Sequence, residues 1–360
     1  MRVAFRRIAP LAMFGLLPLA VATTMFVVAI RSGPLALDFH NELYPEAKEI
    51  LAGRNPYPAP DTDLTVGQNL IWPPAAAVVI APLLLVPPAV ADVAIGLAGL
   101  GCIALALWIV GLRDWRVFGV VAMWPQVIGE IRISHLTPLL CLLVALVWRY
   151  RDGAVRPGVL LGLAGAVKLF LWPLGLWLIA RGQLRGSFVA AIVATGSLLL
   201  VLPFTGLDDY LRLLLDLGRT FDQDAYSPYS LLVQLDVSDL LTRSATLAIG
   251  GALLAVSWHR RSFAAAIAAS LVLSPIVWLD YYAIAAIPLA IARPTLSTIW
   301  FTPMLTWGLP SSGIAAGPVW GVGRVLLVFT IVFLVAIGAE KTRSVDRAST
   351  RRRARPMGSA

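Results

Sequence analysis

The sequence predicts an all-α integral membrane protein, a polytopic bundle of about 10–12 transmembrane helices. Hydrophobic residues make up 59% of its 360 residues and charged residues only 14%, whereas soluble domains carry about a quarter charged residues. The mean hydropathy is +0.81. Apolar runs of spanning length recur from residue 8 to residue 338. They are continuous, as in membrane helices, and do not alternate as in membrane strands.

Several of the apolar runs are too short to cross a bilayer upright, so we expect tilted or broken helices among them. The predicted spans lie near residues 8–31, 73–90, 92–112, 116–130, 134–148, 157–167, 169–181, 187–204, 241–258, 262–277, 281–292, 295–310 and 318–338. Two full crossings between 73 and 112 would leave Arg113 and Arg116 on the outer side. The number of crossings in that region therefore stays open.

The net charge of +9 comes from short basic patches beside the apolar runs, a pattern typical of membrane topology and not of nucleic-acid binding. These patches predict a cytoplasmic N-terminus and cytoplasmic turns near 149–156, 181–185, 259–261 and 293. The segments between them are then extracytoplasmic. These outer segments are 32–72, 129–135, the break around Lys168, 205–240, 274–282 and 310–318.

We expect one transmembrane domain over residues 1–340, because the sequence shows no internal repeat and no long hydrophilic domain. Its first extracytoplasmic loop is 32–72. A basic cytoplasmic tail follows over 341–360, and we expect it to be disordered. The N-terminal apolar run is too long for a signal peptide, so we interpret it as a retained span.

The first loop predicts a short amphipathic helix from Leu43 to Ala52, with Glu42, Glu46 and Glu49 on its polar face. Such a helix favours a position flat on the outer membrane surface. Asp38 precedes it, close to the end of the first span. A carboxylate held there is able to accept a proton from a hydroxyl, and the alternative is a helix-terminal or solvated loop acid.

The predicted topology collects more polar residues on the same outer side. They are Glu130, Arg132 and His135 in one turn, Lys168 at a break between two apolar helices, and Asp280, Tyr281 and Tyr282 in another turn. Charges in apolar segments are paired, solvated or functional, and Lys168 and Asp280 could simply neutralise each other. Taken together, the set predicts one outward-facing cavity, with cations suited to a phosphate and carboxylates suited to sugar hydroxyls.

The sequence predicts neither a metal site nor a cofactor. Cys102 and Cys141 lie in apolar runs, and no metal-ligand spacing is present. The acids of the outer segment 205–228 are expected to be solvated loop residues.

The order of these segments resembles that of the membrane glycosyltransferases of the C type. The stretch "LYPEAKEILAGRNPY" after Asp38 resembles their D…Y…A…L..G..PY pattern, and "LIWPP" resembles the start of their second span. The block from "ISHLTP" to "WLIARG" and the segment "LSPIVWLDYY" are similar to two further motifs. The resemblance covers about residues 30–290. It is strongest to actinobacterial polyprenol-phosphate-mannose-dependent mannosyltransferases, with related arabinofuranosyltransferases, and the Ala-, Arg- and Trp-rich composition fits such a bacterium.

The resemblance implies a multi-pass protein of the bacterial inner membrane with an extracytoplasmic active site. It implies transfer of a sugar, most simply mannose, from a polyprenyl-phosphate donor to a glycolipid or polysaccharide acceptor, with inversion and without nucleic acid or cofactor. Asp38 matches the catalytic base. The residues expected to bind donor phosphate or substrate are Lys168, His135, Arg132, Asp280, Tyr281, Tyr44 and Tyr57.

Two positions depart from the resemblance and leave alternatives open. The family often has Gly-Gln before its middle span, where this chain has Ile133-Ser134-His135, and it has a histidine where this chain has Asp280. Another residue could therefore take the role of that histidine, the donor sugar could differ, or the chain could be a non-catalytic homologue. A transporter or lipid-carrier flippase is a further alternative, although we find no pair of similar halves of the kind common in transporters.

Overall fold

The computed structural model describes residues 8–32, 35–59, 62–64, 72–201, 207–274, 276–310 and 318–353. Within these ranges it contains 17 α-helices and no β-strand, so the predicted all-α class is confirmed. The helices are α1 (Leu17–Ser32), α2 (Tyr44–Leu51), α3 (Pro74–Ile80), α4 (Pro88–Ile109), α5 (Trp115–Ala122), α6 (Pro125–Ile128), α7 (Glu130–Ile133), α8 (Thr137–Arg149), α9 (Arg156–Val167), α10 (Pro173–Ala180), α11 (Leu184–Val201), α12 (Leu207–Thr220), α13 (Pro228–Gln234), α14 (Asp239–Arg260), α15 (Phe263–Leu273), α16 (Ala286–Ala292) and α17 (Val319–Arg353).

Four of the described helical stretches are long and apolar enough to cross a membrane: Ile8–Arg31, Pro88–Ile109, Asp239–Arg260 and Val319–Thr342. Seven shorter apolar helices of 10–17 residues accompany them. These shorter helices fit the broken or tilted spans that the sequence predicts. The chain is therefore a polytopic membrane protein.

Several helices begin where a proline occupies the first turn, because proline fixes φ and lacks the N–H that would be unpaired there. Pro138, Pro157 and Pro173 have this role in α8, α9 and α10. Helix α8 runs away from the turn at 134–136, and α9 packs against α8 and returns to Lys168. Both helices therefore bring their polar ends to the same side of the bundle.

Two predicted spans are not continuous α-helices. The segment 116–130 is divided into α5, α6 and α7, because Pro125 holds the preceding Trp124 in an extended conformation. The segment 295–310 forms a 3-10 helix, Thr298–Thr306, with Pro303 inside it.

The described part of the outer segment, residues 207–240, is largely helical, although a loop was expected. It contains the amphipathic helix α12 and the short helix α13. Asp209, predicted to be a solvated loop acid, accepts a hydrogen bond from Asn55 at 2.7 Å and pairs with Arg212 at 2.9 Å. Helix α12 therefore lies on the first loop.

Some of the predictions from the sequence concern residues at the ends of the described ranges or outside them. Helix α17 continues to Arg353, into the stretch expected to be a disordered tail, and residues 354–360 lie outside the described ranges. The described ranges also leave out Arg6 and Arg7, residues 65–71 of the first loop, and most of the outer segment 310–318.

Helices α9 and α11 approach closely through glycines. A Cβ atom built on Gly162 would lie 2.5 Å from Cβ of Val193 and 2.8 Å from the carbonyl oxygen of Ala190, whereas one on Gly196 meets nothing within 4 Å. Small residues at four-residue spacing, here Gly158 and Gly162, let two membrane helices pack backbone to backbone.

Gly162→Ala is therefore expected to destabilise the protein by about 1–3 kcal/mol through overpacking. Gly196→Ala is the matched control and is expected to be neutral or slightly stabilising, because alanine favours a helix. The measurement is the melting temperature of the purified protein in detergent. Equal melting temperatures for the two variants would contradict the close packing.

Candidate active site

The site is built where four segments distant in sequence meet. These are the first loop at Asp38, the turn before α8 at His135, the break after α9 at Lys168, and the 3-10 helix Leu279–Ala285 at Asp280. The contacts below link these residues directly or through one aromatic ring. The convergence that the sequence predicts is therefore present.

Asp38 is held by an unusual stretch of backbone. Ala36, two residues earlier, is fully buried in the left-handed conformation with φ of 58°, which is rare and strained for a residue other than glycine. A π-helical turn, Phe39–Leu43, follows directly, and such turns are frequent at functional sites. Phe39 and Leu43 anchor the turn in the core. The Asp38 side chain keeps 15% of its surface exposed, so one edge of its carboxylate is open to a ligand.

His135 lies between two carboxylates. Its Nε2 atom contacts Oδ2 of Asp38, and its Nδ1 atom lies 3.1 Å from Oδ2 of Asp280. The ring is fixed from its own turn, because Ser134 adopts a left-handed φ of 55° and the His135 amide donates to Oε2 of Glu130 at 3.0 Å. His135 therefore joins the first loop to the 3-10 helix.

Asp280 is 1% exposed and lies in the first turn of the 3-10 helix Leu279–Ala285. Its Oδ2 atom accepts a hydrogen bond from Oγ1 of Thr137 at 2.8 Å, at the start of α8. Among the described residues, no ion pair within 4.0 Å links Asp280 to Lys168. Lys168 and Asp280 attract each other through space, but they form no direct ion pair, and His135 and Thr137 contact the carboxylate instead.

Lys168 is extended, with φ of −155° and ψ of 125°, between α9 and the 3-10 helix Leu169–Leu171. The predicted break at this residue is confirmed. Its Nζ atom lies 4.2 Å from the ring centre of Trp72 and 3.7 Å from that of Tyr281, and it donates a hydrogen bond to the Tyr281 hydroxyl. Phe170 stacks on Tyr281 at 5.5 Å. Aromatic faces attract a cation without neutralising it, so this aromatic cage leaves Lys168 able to bind an anion.

Trp72 is a site residue that the sequence analysis missed. Its ring lies 5.7 Å from that of His135, and its Nε1 atom donates to Oε2 of Glu42 at 3.2 Å. The only sequence signal was its place at the start of "WPP", which indicated a span and not a site.

The two predicted tyrosines of the first loop lie around the polar cluster and not within it. Tyr57 donates its hydroxyl hydrogen to the Trp72 carbonyl at 3.0 Å and lies 5.4 Å from the Tyr210 ring of α12. Tyr44 packs edge-on against Phe39. Both residues support the loop that carries Asp38 and Trp72.

Arg132 is exposed. None of the hydrogen bonds or ion pairs within the described ranges connects it to Asp38, His135 or Lys168. Its predicted contact with donor phosphate finds no support in the geometry, because α7 turns this side chain away from His135.

Helix α2 is not the flat surface helix that the sequence predicts. Glu46, assigned to its polar face, is fully buried, because α3 packs on that side. The pKa of Glu46 is raised well above its usual range, mainly because burial removes water from the charged form. The pKa of Glu42 is raised to about 8, first by burial and then by the negative charge of Asp38. Glu42 is therefore mostly protonated at neutral pH.

One set of residues has the composition of a metal site. Glu130, His135 and Asp280 each offer a buried ligand atom, and these atoms lie within 4.8 Å of one another. Within the described chain, Oε1 of Glu130, Nδ1 of His135 and Oδ1 of Asp280 have no hydrogen-bond partner. Both ring nitrogens of His135 already face a carboxylate, which leaves an ion only the side shared with Asp280. The expected absence of a metal stays a prediction.

The raised pKa of Glu42 predicts a pH dependence of stability. The folded protein keeps this proton up to about pH 8, whereas the unfolded chain releases it near the ordinary value of 4.5. The free energy of unfolding therefore falls as pH rises between these values, by at most about 1.4 kcal/mol per pH unit for one proton. Glu42→Gln has no such proton, so its melting temperature in detergent should fall less steeply with pH.

Glu49→Gln is the control for this measurement. Glu49 pairs with Arg54 at the surface, which lowers its pKa, so it titrates below the window. It should keep the wild-type slope above about pH 6. An unchanged slope in Glu42→Gln would contradict the assignment.

A comparison of the sequence with known protein families gives a match that covers most of the site. The model of glycosyltransferase family 87 matches residues 70–279, which is more than half of the 360 residues and includes Trp72, His135 and Lys168. Asp38 precedes the matched range, and Asp280 follows it directly. No curated protein and no solved structure is significantly similar to the chain. The chain belongs to glycosyltransferase family 87 and is a membrane glycosyltransferase.

Proposed function

We infer that this glycosyltransferase transfers mannose from a polyprenyl-phosphate carrier to a hydroxyl of a glycolipid or polysaccharide acceptor, on the extracytoplasmic face of the bacterial inner membrane. The observation that carries the proposal is the pairing of a partly open carboxylate, Asp38, with a caged cation, Lys168, in one cluster. A transfer from a lipid phosphate needs a base for the acceptor and a positive charge for the leaving phosphate.

The chemistry follows from these two groups. The acceptor oxygen attacks the anomeric carbon while its proton moves to Asp38, and the bond from that carbon to the phosphate oxygen breaks. Its electron pair leaves with the polyprenyl phosphate. Because attack and departure occur on opposite faces of the sugar, the configuration at the anomeric carbon inverts. Lys168 stabilises the negative charge that grows on the phosphate.

The remaining site residues divide between the two ends of this reaction. Tyr281 and Trp72 form the cage around Lys168 and belong to the phosphate side. His135 and Asp280 lie behind Asp38 and belong to the acceptor side. Tyr44 and Tyr57 stabilise the first loop, which carries the base.

The helix directions support an extracytoplasmic site. Thr137, next to Asp280, begins α8, and the helix ends at Arg149. Helix α9 begins at Arg156 and ends beside Lys168, and α16 runs from the site towards Arg293. Each path thus leads from the polar cluster to a basic residue, and basic residues favour the cytoplasmic side.

Asp38→Asn is expected to lower the transfer rate by about 10²–10⁴-fold, because an amide cannot accept the proton. The measurement is transfer of labelled mannose from polyprenyl phosphate in membranes that contain equal amounts of each variant. Asp208→Asn, which changes an exposed acid at the start of α12, is the control and should keep wild-type activity. Undiminished transfer by Asp38→Asn would remove this residue from the mechanism, and an inactive wild type would favour a non-catalytic homologue.

Lys168→Met keeps the length of the side chain but removes its charge, and should lower kcat/KM for the donor by about 10²–10³-fold. Arg132→Met removes an exposed cation from the neighbouring turn. Because Arg132 lies away from the cluster, its loss should change kcat/KM less than about twofold. The reverse order of effects would place the phosphate near α7 and contradict the assignment to Lys168.

A further inference from the structure

Glu42 is an acid of the cluster to which the proposed mechanism gives no role. It lies in the π-helical turn Phe39–Leu43 that follows Asp38. Its side chain is only partly buried, as are those of Asp38 and Lys168, whereas Asp280 is buried. Glu42 therefore shares the open face of the cluster with the base and with the cation assigned to the phosphate.

The two carboxyl oxygens of Glu42 have different surroundings. Oε2 accepts a hydrogen bond from Nε1 of Trp72 at 3.2 Å. Trp72 is 1% exposed, so this bond holds the carboxyl group against a ring that is itself fixed by packing. Among the described residues, none donates a hydrogen bond to Oε1 of Glu42. The carboxyl group is thus anchored by one oxygen, and the other has no partner within the described structure.

Glu42 lies between the base and the cation of the proposed reaction. It follows Asp38 by four residues, and side chains at this spacing are neighbours on one face of a helical turn. After burial, the negative charge of Asp38 is the largest cause of the raised pKa of Glu42. On the other side, the Trp72 ring separates Glu42 from Lys168, whose Nζ atom lies 4.2 Å from the ring centre.

The transferred sugar has to occupy the same interval. Its anomeric carbon is attacked from the Asp38 side, and its phosphate leaves on the Lys168 side. The sugar ring between these two points therefore presents its hydroxyls next to Glu42. Carboxyl groups suit sugar hydroxyls, because they offer acceptor oxygens and, when protonated, a donor as well.

We propose that Glu42 is a specificity-determining residue that forms a hydrogen bond with one ring hydroxyl of the transferred sugar. The proposal rests on the proposed function and adds to it a contact that recognises the sugar itself. Oε2 stays on Trp72, and the second oxygen meets the hydroxyl. A neutral carboxyl group is suited to this place, because it does not repel the neighbouring donor phosphate as a carboxylate does.

A purely structural role is the alternative. Glu42 holds Trp72, which is one wall of the cage around Lys168, so its loss could act on the phosphate alone. In that case all donors that carry the same phosphate lose the same factor in rate. A sugar contact affects only the donors that have the hydroxyl in question. The ratio of rates between donors therefore separates the two roles.

The test compares polyprenyl phosphate mannose with a set of analogues that each lack one ring hydroxyl. The measurement is kcat/KM for transfer by the purified full-length protein. With the wild type, at least one analogue should be poorer than mannose by about 10–100-fold, because it leaves a polar group of the site unpaired. Glu42→Met cannot form this hydrogen bond, so it should lower kcat/KM for mannose by a similar factor and use that analogue about as well as mannose.

Two further variants sharpen the comparison. Glu42→Gln keeps an oxygen for the Trp72 N–H and gains an amide donor for the sugar, so it should keep the discrimination that Glu42→Met loses. Glu49→Met makes the same change on α2, where Glu49 pairs with Arg54 at the surface. This control should keep both the wild-type rate and the wild-type discrimination.

The outcomes distinguish this proposal from the proposed function. If Glu42→Met loses the same factor with every donor, the sugar contact is overturned and Glu42 serves only the Lys168 cage. If the wild type transfers mannose from polyprenyl phosphate in that case, the proposed function stands. If the wild type transfers none of these sugars, the proposed function itself fails. Glu42→Leu, which also lacks a hydrogen-bonding group, replaces Glu42→Met if that variant does not fold.

Discussion

The contact of one imidazole with two carboxylates is the interaction on which the rest of the site depends. Buried carboxylates are costly unless they are paired or hydrogen-bonded, and His135 pairs with Asp38 and Asp280 at once. This arrangement requires three segments to meet at His135: the first loop, the turn before α8 and the 3-10 helix Leu279–Ala285. The breaks in the apolar helices near this point are therefore part of the site. They provide short segments whose ends carry polar side chains into the bundle.

Much of the fold could be predicted from local sequence, since hydropathy alone indicates a helical membrane protein and Lys168 marks its own helix break. Errors arose where long-range packing decides the outcome. Glu46 looks like a residue of a polar face, yet α3 and Trp72 cover it. The segment 116–130 looks apolar enough to span, yet Pro125 divides it. Helix α12 was taken for a loop because its acids suggested solvent, whereas it pairs with the first loop through Asn55 and Tyr57.

The same distinction applies to the candidate site, where the residues could be predicted but the contacts between them could not. The sequence identified Asp38, His135, Lys168 and Asp280 as polar residues of one outer cavity, and the structure brings them together. It could not indicate which residues touch, because Lys168 and Asp280 looked like a natural ion pair. The structure also bears on Asp280, one of the positions at which this chain departs from the family resemblance. The chain has a carboxylate where a histidine was expected, but His135 supplies an imidazole 3.1 Å from that carboxylate. Both chemical groups are thus retained in the cluster at different positions of the chain.

The aromatic cage of Lys168 has a consequence for turnover. Trp72 and Tyr281 hold the ammonium group in place without cancelling its charge. On the proposed mechanism the donor arrives as a phosphodiester with one negative charge, whereas the spent carrier is a monoester with roughly −1.5 to −2 charges at neutral pH. The same fixed cation then attracts the product more strongly than the substrate. On that mechanism, the arrangement that makes the phosphate a good leaving group also slows departure of the spent carrier and favours product inhibition.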